Sequence, residues 1–68
     1  MATLMEKDSL INGISQTLGL IVAQIGDRNE DSVMLATLRN KLYGLDAEKI
    51  DYQETAKLVK EKFKLYKL

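Results

Sequence analysis

Apolar residues recur at spacings of three and four along the first third of the chain, which is the periodicity of a helix that buries one face. The stripe consists of Leu10, Ile14, Leu18, Ile21 and Ile25, and Ile11 and Val22 widen it. It predicts a first helix over residues 7–25, with Asp8 or Ser9 as its N-cap and Gly26 just past its end. The stripe is wider than one neighbouring helix would cover, so we expect apolar surface to be left over for a partner.

A second apolar stripe follows a polar turn at residues 27–30. It consists of Leu35, Leu38 and Leu42. The spacing predicts a helix over residues 32–43, capped by Asp31 or Ser32. Gly44 follows at the position where a left-handed residue often ends a helix, and glycine adopts that conformation without steric cost.

The third stripe lies near the end of the chain and consists of Ala56, Val59, Phe63 and Tyr66. It predicts a helix over residues 52–66. Asp51 and Glu54 have the spacing of a capping box at its start. Between the second and third helices we expect a short connector, a single helical turn that tucks Leu45 and Ile50 inward.

The three stripes predict an all-α fold, a small three-helix bundle in one domain spanning residues 1–68. Proline is absent, which suits helices throughout. A chain of 68 residues buries only about 60% of the surface that its unfolded form exposes. It also has no cysteine for disulfides and no histidine. We therefore expect oligomerisation to complete the bundle, with sequential helices packed antiparallel.

The first helix is the best candidate for a partner interface. Ser15, Gly19 and Ala23 lie four apart and form a ridge of small residues that lets another helix approach closely. The alternative is that the glycines merely weaken the helix, at a cost of about 1 kcal/mol each relative to alanine. The full predicted interface is Leu10, Ile14, Ser15, Leu18, Gly19, Val22, Ala23 and Ile25, and it predicts a homodimer or a higher homo-oligomer.

Catalysis, metal binding and cofactor binding are not expected. General acid–base and nucleophilic chemistry depend most often on histidine or cysteine, and the chain has neither. Its carboxylates fall mainly at predicted helix starts and in the turn, where capping and solvation explain them. Asp27, Glu30 and Asp31 could form a weak calcium-like cluster, but the ligand order of an EF-hand loop is missing. We predict no catalytic residue, no metal site and no cofactor.

Lysines concentrate at the end of the chain. Residues 57–68 carry a net charge of +4, whereas residues 27–56 carry −3, so the two segments could attract one another within or between protomers. Lys57, Lys60, Lys64 and Lys67 could also contact nucleic-acid phosphates. Neither arginine nor asparagine, the residues that most often read base edges, is present in this segment. A solvated helix face explains these lysines equally well, so nucleic acid is the secondary hypothesis.

Residues 6–51 contain a run that can be compared with known proteins. It consists of Lys7-Asp8 followed by Leu10, Ile11, Ile14, Leu18, Ile21, Val22, Ala23 and Ile25, then of Leu42-Tyr43-Gly44-Leu45-Asp46 and Ile50-Asp51. This run resembles the opening of small bacterial proteins, of uncharacterised activity, that pair an apolar first helix with a tetratricopeptide-like helix pair. The tetratricopeptide signature itself is not met, because the chain lacks tryptophan and proline. The resemblance implies a helical scaffold for protein contacts.

Together these patterns predict a non-catalytic module that works through self-association or through another protein. We expect a cytoplasmic protein, since cysteine is absent and no secretory signal pattern is visible. A membrane partner is not expected: the apolar stretch from Leu10 to Ile25 is too short and too polar for a spanning helix.

Overall fold

The computed structural model describes residues 2–67 and contains three α-helices and one short 3₁₀ helix. The α-helices are α1 (Leu4–Ile25), α2 (Glu30–Gly44) and α3 (Tyr52–Tyr66), and the 3₁₀ helix spans Ala47–Lys49. Residues 2–67 contain no strand. The predicted all-α three-helix bundle is confirmed, with the single helical turn in the connector.

The helix α1 begins one turn earlier than predicted, because its N-cap is Thr3 and not Asp8 or Ser9. The Thr3 hydroxyl accepts a hydrogen bond from the Glu6 amide at 3.1 Å, and the Thr3 amide donates to Glu6 Oε1 at 3.0 Å. This reciprocal pair is a capping box, which satisfies amides that would otherwise lack partners. Its Thr-x-x-Glu signature was present in the sequence.

The turn between α1 and α2 depends on Gly26 and Asn29. Gly26 has φ 83° and ψ −176°, a region open essentially only to glycine. Asn29 caps α2 by accepting from the Ser32 amide at 2.8 Å, while its side-chain amide donates to the Gly26 carbonyl at 2.7 Å. The predicted caps Asp31 and Ser32 are therefore wrong. The buried Ser32 hydroxyl instead lies within hydrogen-bonding distance of both Asn29 and Gly26.

The ends of the other helices follow the predictions more closely. Gly44 is the exception: it is the last residue of α2, has no positive φ, and so is not the predicted left-handed residue. Both bounds of α3 agree with the prediction, and Asp51 accepts from the Glu54 amide at 3.2 Å, the forward bond of the predicted capping box. Ile50 is buried and Leu45 packs against the core, as expected for the connector.

The helix α1 is central, and α2 and α3 each pack mainly against it instead of against each other. The Lys7 ammonium donates to the Leu45 carbonyl at 2.7 Å, which places the start of α1 beside the end of α2. The Gln24 side chain donates to the Tyr66 carbonyl, which joins the C-terminal ends of α1 and α3. Hence α2 runs antiparallel to α1 and α3 runs parallel to it.

The core lies along the inward face of α1. Ile14, Thr17 and Ile21 of α1 and Leu35 of α2 are fully buried. Thr17 is a polar member of this core, and its hydroxyl donates to the Gly13 carbonyl at 2.8 Å, so burial leaves no donor unpaired. The buried hydrophobic residues are Ala2, Leu10, Ile11, Ile14, Ile21, Leu35, Leu42, Ile50 and Val59.

A polar clasp, defined as Asp31, Lys62 and Tyr66, joins the start of α2 to the end of α3. The Tyr66 hydroxyl donates to Asp31 Oδ2 at 2.6 Å, and Lys62 Nζ lies 2.9 Å from Asp31 Oδ1. The Tyr66 hydrogen bond, and then Lys62, lower the pKa of the Asp31 carboxyl. The same hydrogen bond to Asp31 raises the pKa of the Tyr66 hydroxyl. The clasp therefore favours ionised aspartate and neutral tyrosine.

Replacement of Gly26 by alanine should destabilise the fold. The Gly26→Ala variant forces an L-residue into a glycine-only conformation, and we expect the free energy of unfolding to fall by roughly 1–3 kcal/mol. Urea denaturation followed by circular dichroism measures this. Gly44→Ala is the matched control: an added Cβ meets nothing within 4 Å there and φ is not positive, so stability should hold or rise slightly. An equal loss of unfolding free energy in both variants would contradict the inference that Gly26 adopts a conformation open only to glycine.

The clasp should make stability depend on pH. A lowered pKa in the folded state means that Asp31 contributes stability above the unfolded pKa of about 4, and loses it as the pH falls through the folded value. Tyr66 contributes below about pH 10 and loses its contribution as the pH rises further. The Asp31→Asn variant should have a lower melting temperature than the wild type at pH 7, and this difference should become smaller from pH 4 to pH 2. A difference in melting temperature that stays constant over that range would contradict a stabilising role for ionised Asp31.

Candidate protein-interaction surface

A groove on the outside of the bundle runs between α1 and α2. Leu18, Gly19 and Val22 line it from α1, and Val33 and Ala36 line it from α2. Its remaining lining residues are Asp27, Ser32, Thr37, Arg39 and Asn40. We call this set of ten residues the α1–α2 groove. No residue of α3 lines it, so the groove and the polar clasp are separate surfaces.

The groove is apolar where the two helices approach one another. Val22 is 45% exposed and Val33 is 57% exposed, although both are β-branched hydrophobic residues. Gly19 has open space where a Cβ would lie. The exposed valines give the groove an apolar lining, which makes it a candidate surface for a protein partner.

No contact among residues 2–67 requires a glycine at position 19. A Cβ built on Gly19 would meet no atom within 4 Å, apart from its own helix backbone. At Gly13 a Cβ would lie 3.5 Å from Val59 Cγ1, which is ordinary contact. The helix nevertheless bears the cost of a glycine at position 19, about 1 kcal/mol relative to alanine. The open side of Gly19 therefore faces the groove and its solvent.

The structure divides the predicted interface residues into two groups. Leu10 and Ile14 are buried in the core, so their assignment to a partner interface is wrong: two helices of the same chain cover that part of the stripe. Leu18, Gly19 and Val22 line the α1–α2 groove.

The other three predicted residues, Ser15, Ala23 and Ile25, are exposed beside the groove. Ser15 accepts a hydrogen bond from Arg39 Nη1 at 3.2 Å. Sequence reasoning missed the contribution of α2. Val33, Ala36 and Asn40 are spaced three and four apart, and this signal could have identified a second, outward-facing stripe.

The lysines of α3 form a separate candidate surface. Lys57, Lys60 and Lys64, and Lys67 just beyond the helix, are all exposed. The Lys67 ammonium lies 5.9 Å from the centroid of the Phe63 ring, a distance at which the cation and ring attract one another. Within residues 2–67 the only ion pair is Lys62–Asp31. The acidic and basic segments are therefore joined by one ion pair within the protomer.

Residues 2–67 contain neither a metal-binding cluster of side chains nor a helix that could span a membrane. Residues 2–67 contain no group of three or more carboxylates arranged to hold a metal ion, so Asp27, Glu30 and Asp31 do not form the weak cluster considered above. Asp31 belongs to the polar clasp. None of the helices in this range is long and apolar enough to cross a bilayer.

Comparison with protein-family models, curated proteins and solved structures gave no match. The resemblance to small bacterial helical proteins therefore stays a prediction.

Proposed function

We propose that this chain is a non-catalytic helical module of the cytoplasm that acts through self-association and protein–protein contacts. The observation that carries the proposal is the apolar α1–α2 groove, which exposes Val22 and Val33 and is also lined by Gly19, a glycine that no contact among residues 2–67 requires. A partner that packs over Gly19 would offset the helix propensity lost there.

The surface area of the protomer supports the same proposal. The chain exposes 4871 Å² for a mass of 7.7 kDa. A compact monomer of that mass exposes about 4,300 Å² by the usual scaling. A standard interface covers about 800 Å² on each partner, which is more than this difference.

The proposed lack of catalysis rests on the side chains available. Histidine and cysteine are absent, and the pKa values of Asp31 and Tyr66 are displaced mainly by the hydrogen bond between them within the clasp. A shifted pKa at an active site usually reflects a group poised for proton transfer. Here the shift has a structural cause.

The Gly19→Leu variant tests the proposal. An added Cβ at position 19 meets no atom within 4 Å, and leucine raises helix propensity by about 1 kcal/mol, so we expect the dilute protein to be at least as stable as the wild type. The same side chain fills the proposed docking site, so we expect association to weaken by at least about tenfold in sedimentation equilibrium.

Gly44→Leu is the control for this test, because Gly44 also faces open space and lies at the far end of α2 from the α1–α2 turn. It should associate as the wild type does. Transient assemblies form at protein concentrations up to about 100 µM. If the wild-type protein still has the mass of a monomer at that concentration, self-association is rejected.

Nucleic-acid binding is the second candidate. Its support is that Lys57, Lys60 and Lys64 share one exposed side of α3, and that none of them pairs with a carboxylate within residues 2–67. Three or four phosphate contacts would give an affinity that falls steeply with salt.

Fluorescence anisotropy with a labelled single-stranded RNA at low salt tests this candidate. The double variant Lys60→Glu and Lys64→Glu should abolish any binding, and charge reversal at Lys41 of α2 is the control. Anisotropy that does not change at micromolar wild-type protein would eliminate the hypothesis.

A further inference from the structure

The α1–α2 groove carries one opposite charge at each end. Asp27 lies in the turn that joins the two helices, and Arg39 lies about 15 Å further along α2 from its N-cap Asn29, at a rise of 1.5 Å per residue. The Arg39 guanidinium reaches across to Ser15 of α1, so its charge lies between the two helices, as Asp27 does. Neither Asp27 nor Arg39 has an ion-pair partner among residues 2–67.

Apolar surface lies between these charges. Val33 is four residues after the N-cap of α2, about 6 Å along the helix, which places it near the midpoint between Asp27 and Arg39. Val22 lines the same part of the groove from α1. The sequence of features along the groove is therefore acidic, apolar, basic.

The geometry points to a second copy of this chain as the occupant of the groove, turned end for end about a twofold axis that passes across the groove beside Val22 and Val33. This inference rests on the proposed self-association and specifies its surface and orientation. The axis reverses the direction of the groove in the partner. Asp27 of each copy then faces Arg39 of the other, and the exposed valines of both copies meet at the centre.

The charge order selects this arrangement over the other twofold solution. An axis along the groove would place Asp27 against the partner subunit's Asp27 and Arg39 against the partner subunit's Arg39, and like charges in contact cost affinity. The antiparallel arrangement instead forms two equivalent ion pairs at the rim and keeps the apolar residues at the centre, which is the usual anatomy of an interface. A surface that satisfies its own charges in this way is self-complementary.

Charge reversal tests the inference because it predicts rescue by mixing. Asp27→Arg alone places two like-charged contacts in the homodimer, and so does Arg39→Asp alone. Each single variant should dissociate at least about tenfold more readily than the wild type. An equimolar mixture of the two variants should form a heterodimer near wild-type affinity, because every contact then joins an acidic and a basic side chain.

Sedimentation equilibrium, together with native mass spectrometry to identify the heterodimer, measures both effects. Asp46→Arg, in a loop at the other end of the bundle, and Lys60→Asp, on α3, are the matched controls and should leave association unchanged. Thermal melts of each dilute variant show that the protomer is folded.

The outcomes separate this inference from the proposed function. Weakened single variants with rescue on mixing support the antiparallel pairing. If the wild type associates and the single variants associate equally tightly, the antiparallel pairing is wrong but self-association is supported. The same holds if the single variants are weakened and their mixture does not recover affinity. A monomeric wild type overturns both, and the groove would then belong to a different protein.

Discussion

The packing of two helices against the single helix α1 is the interaction on which the rest of the structure depends. Ile14, Thr17 and Ile21 are fully buried between neighbours that scarcely touch one another. This arrangement buries the inward part of the apolar stripe of α1 and leaves Val22 and Ile25 exposed. It also holds α2 and α3 apart except at their ends, where the polar clasp and the 3₁₀ connector join them. A chain without disulfides thus concentrates its core along one helix.

Because α1 is packed on two sides, its remaining surface decides what the protomer can bind. Residues that repeat every three or four positions serve the core, and those displaced from them by about a quarter turn meet the groove. Leu18 is at this boundary, half-buried and packed against the core while it lines the groove. The same helix therefore builds the fold on one side and presents Gly19 and Val22 to solvent on the other.

The sequence predicted the number, order and type of helices because each has a strong apolar period, and it predicted both bounds of α3 because Asp51 caps it directly before that period begins. It misplaced the start of α1, since Thr3 and Glu6 precede the apolar stripe. The interface residues were harder to predict than the helices. Whether Ile14 meets a helix of its own chain or of another depends on tertiary packing, which periodicity alone does not contain. The share of the groove supplied by α2 was missed for a different reason: the helical spacing of Val33, Ala36 and Asn40 was present in the sequence but was not recognised as a second stripe.

The turn between α1 and α2 links the fold to the proposed surface. Gly26 permits the chain to reverse within a few residues, and Asn29 fixes that reversal by bonding to the Gly26 carbonyl while it caps α2. The same turn brings Asp27 to one end of the groove, opposite the end that Arg39 occupies. A longer or looser turn would leave the helices intact but would not hold a charge at that position. The short turn thus defines both the angle between two helices and the charge order that would orient a second copy.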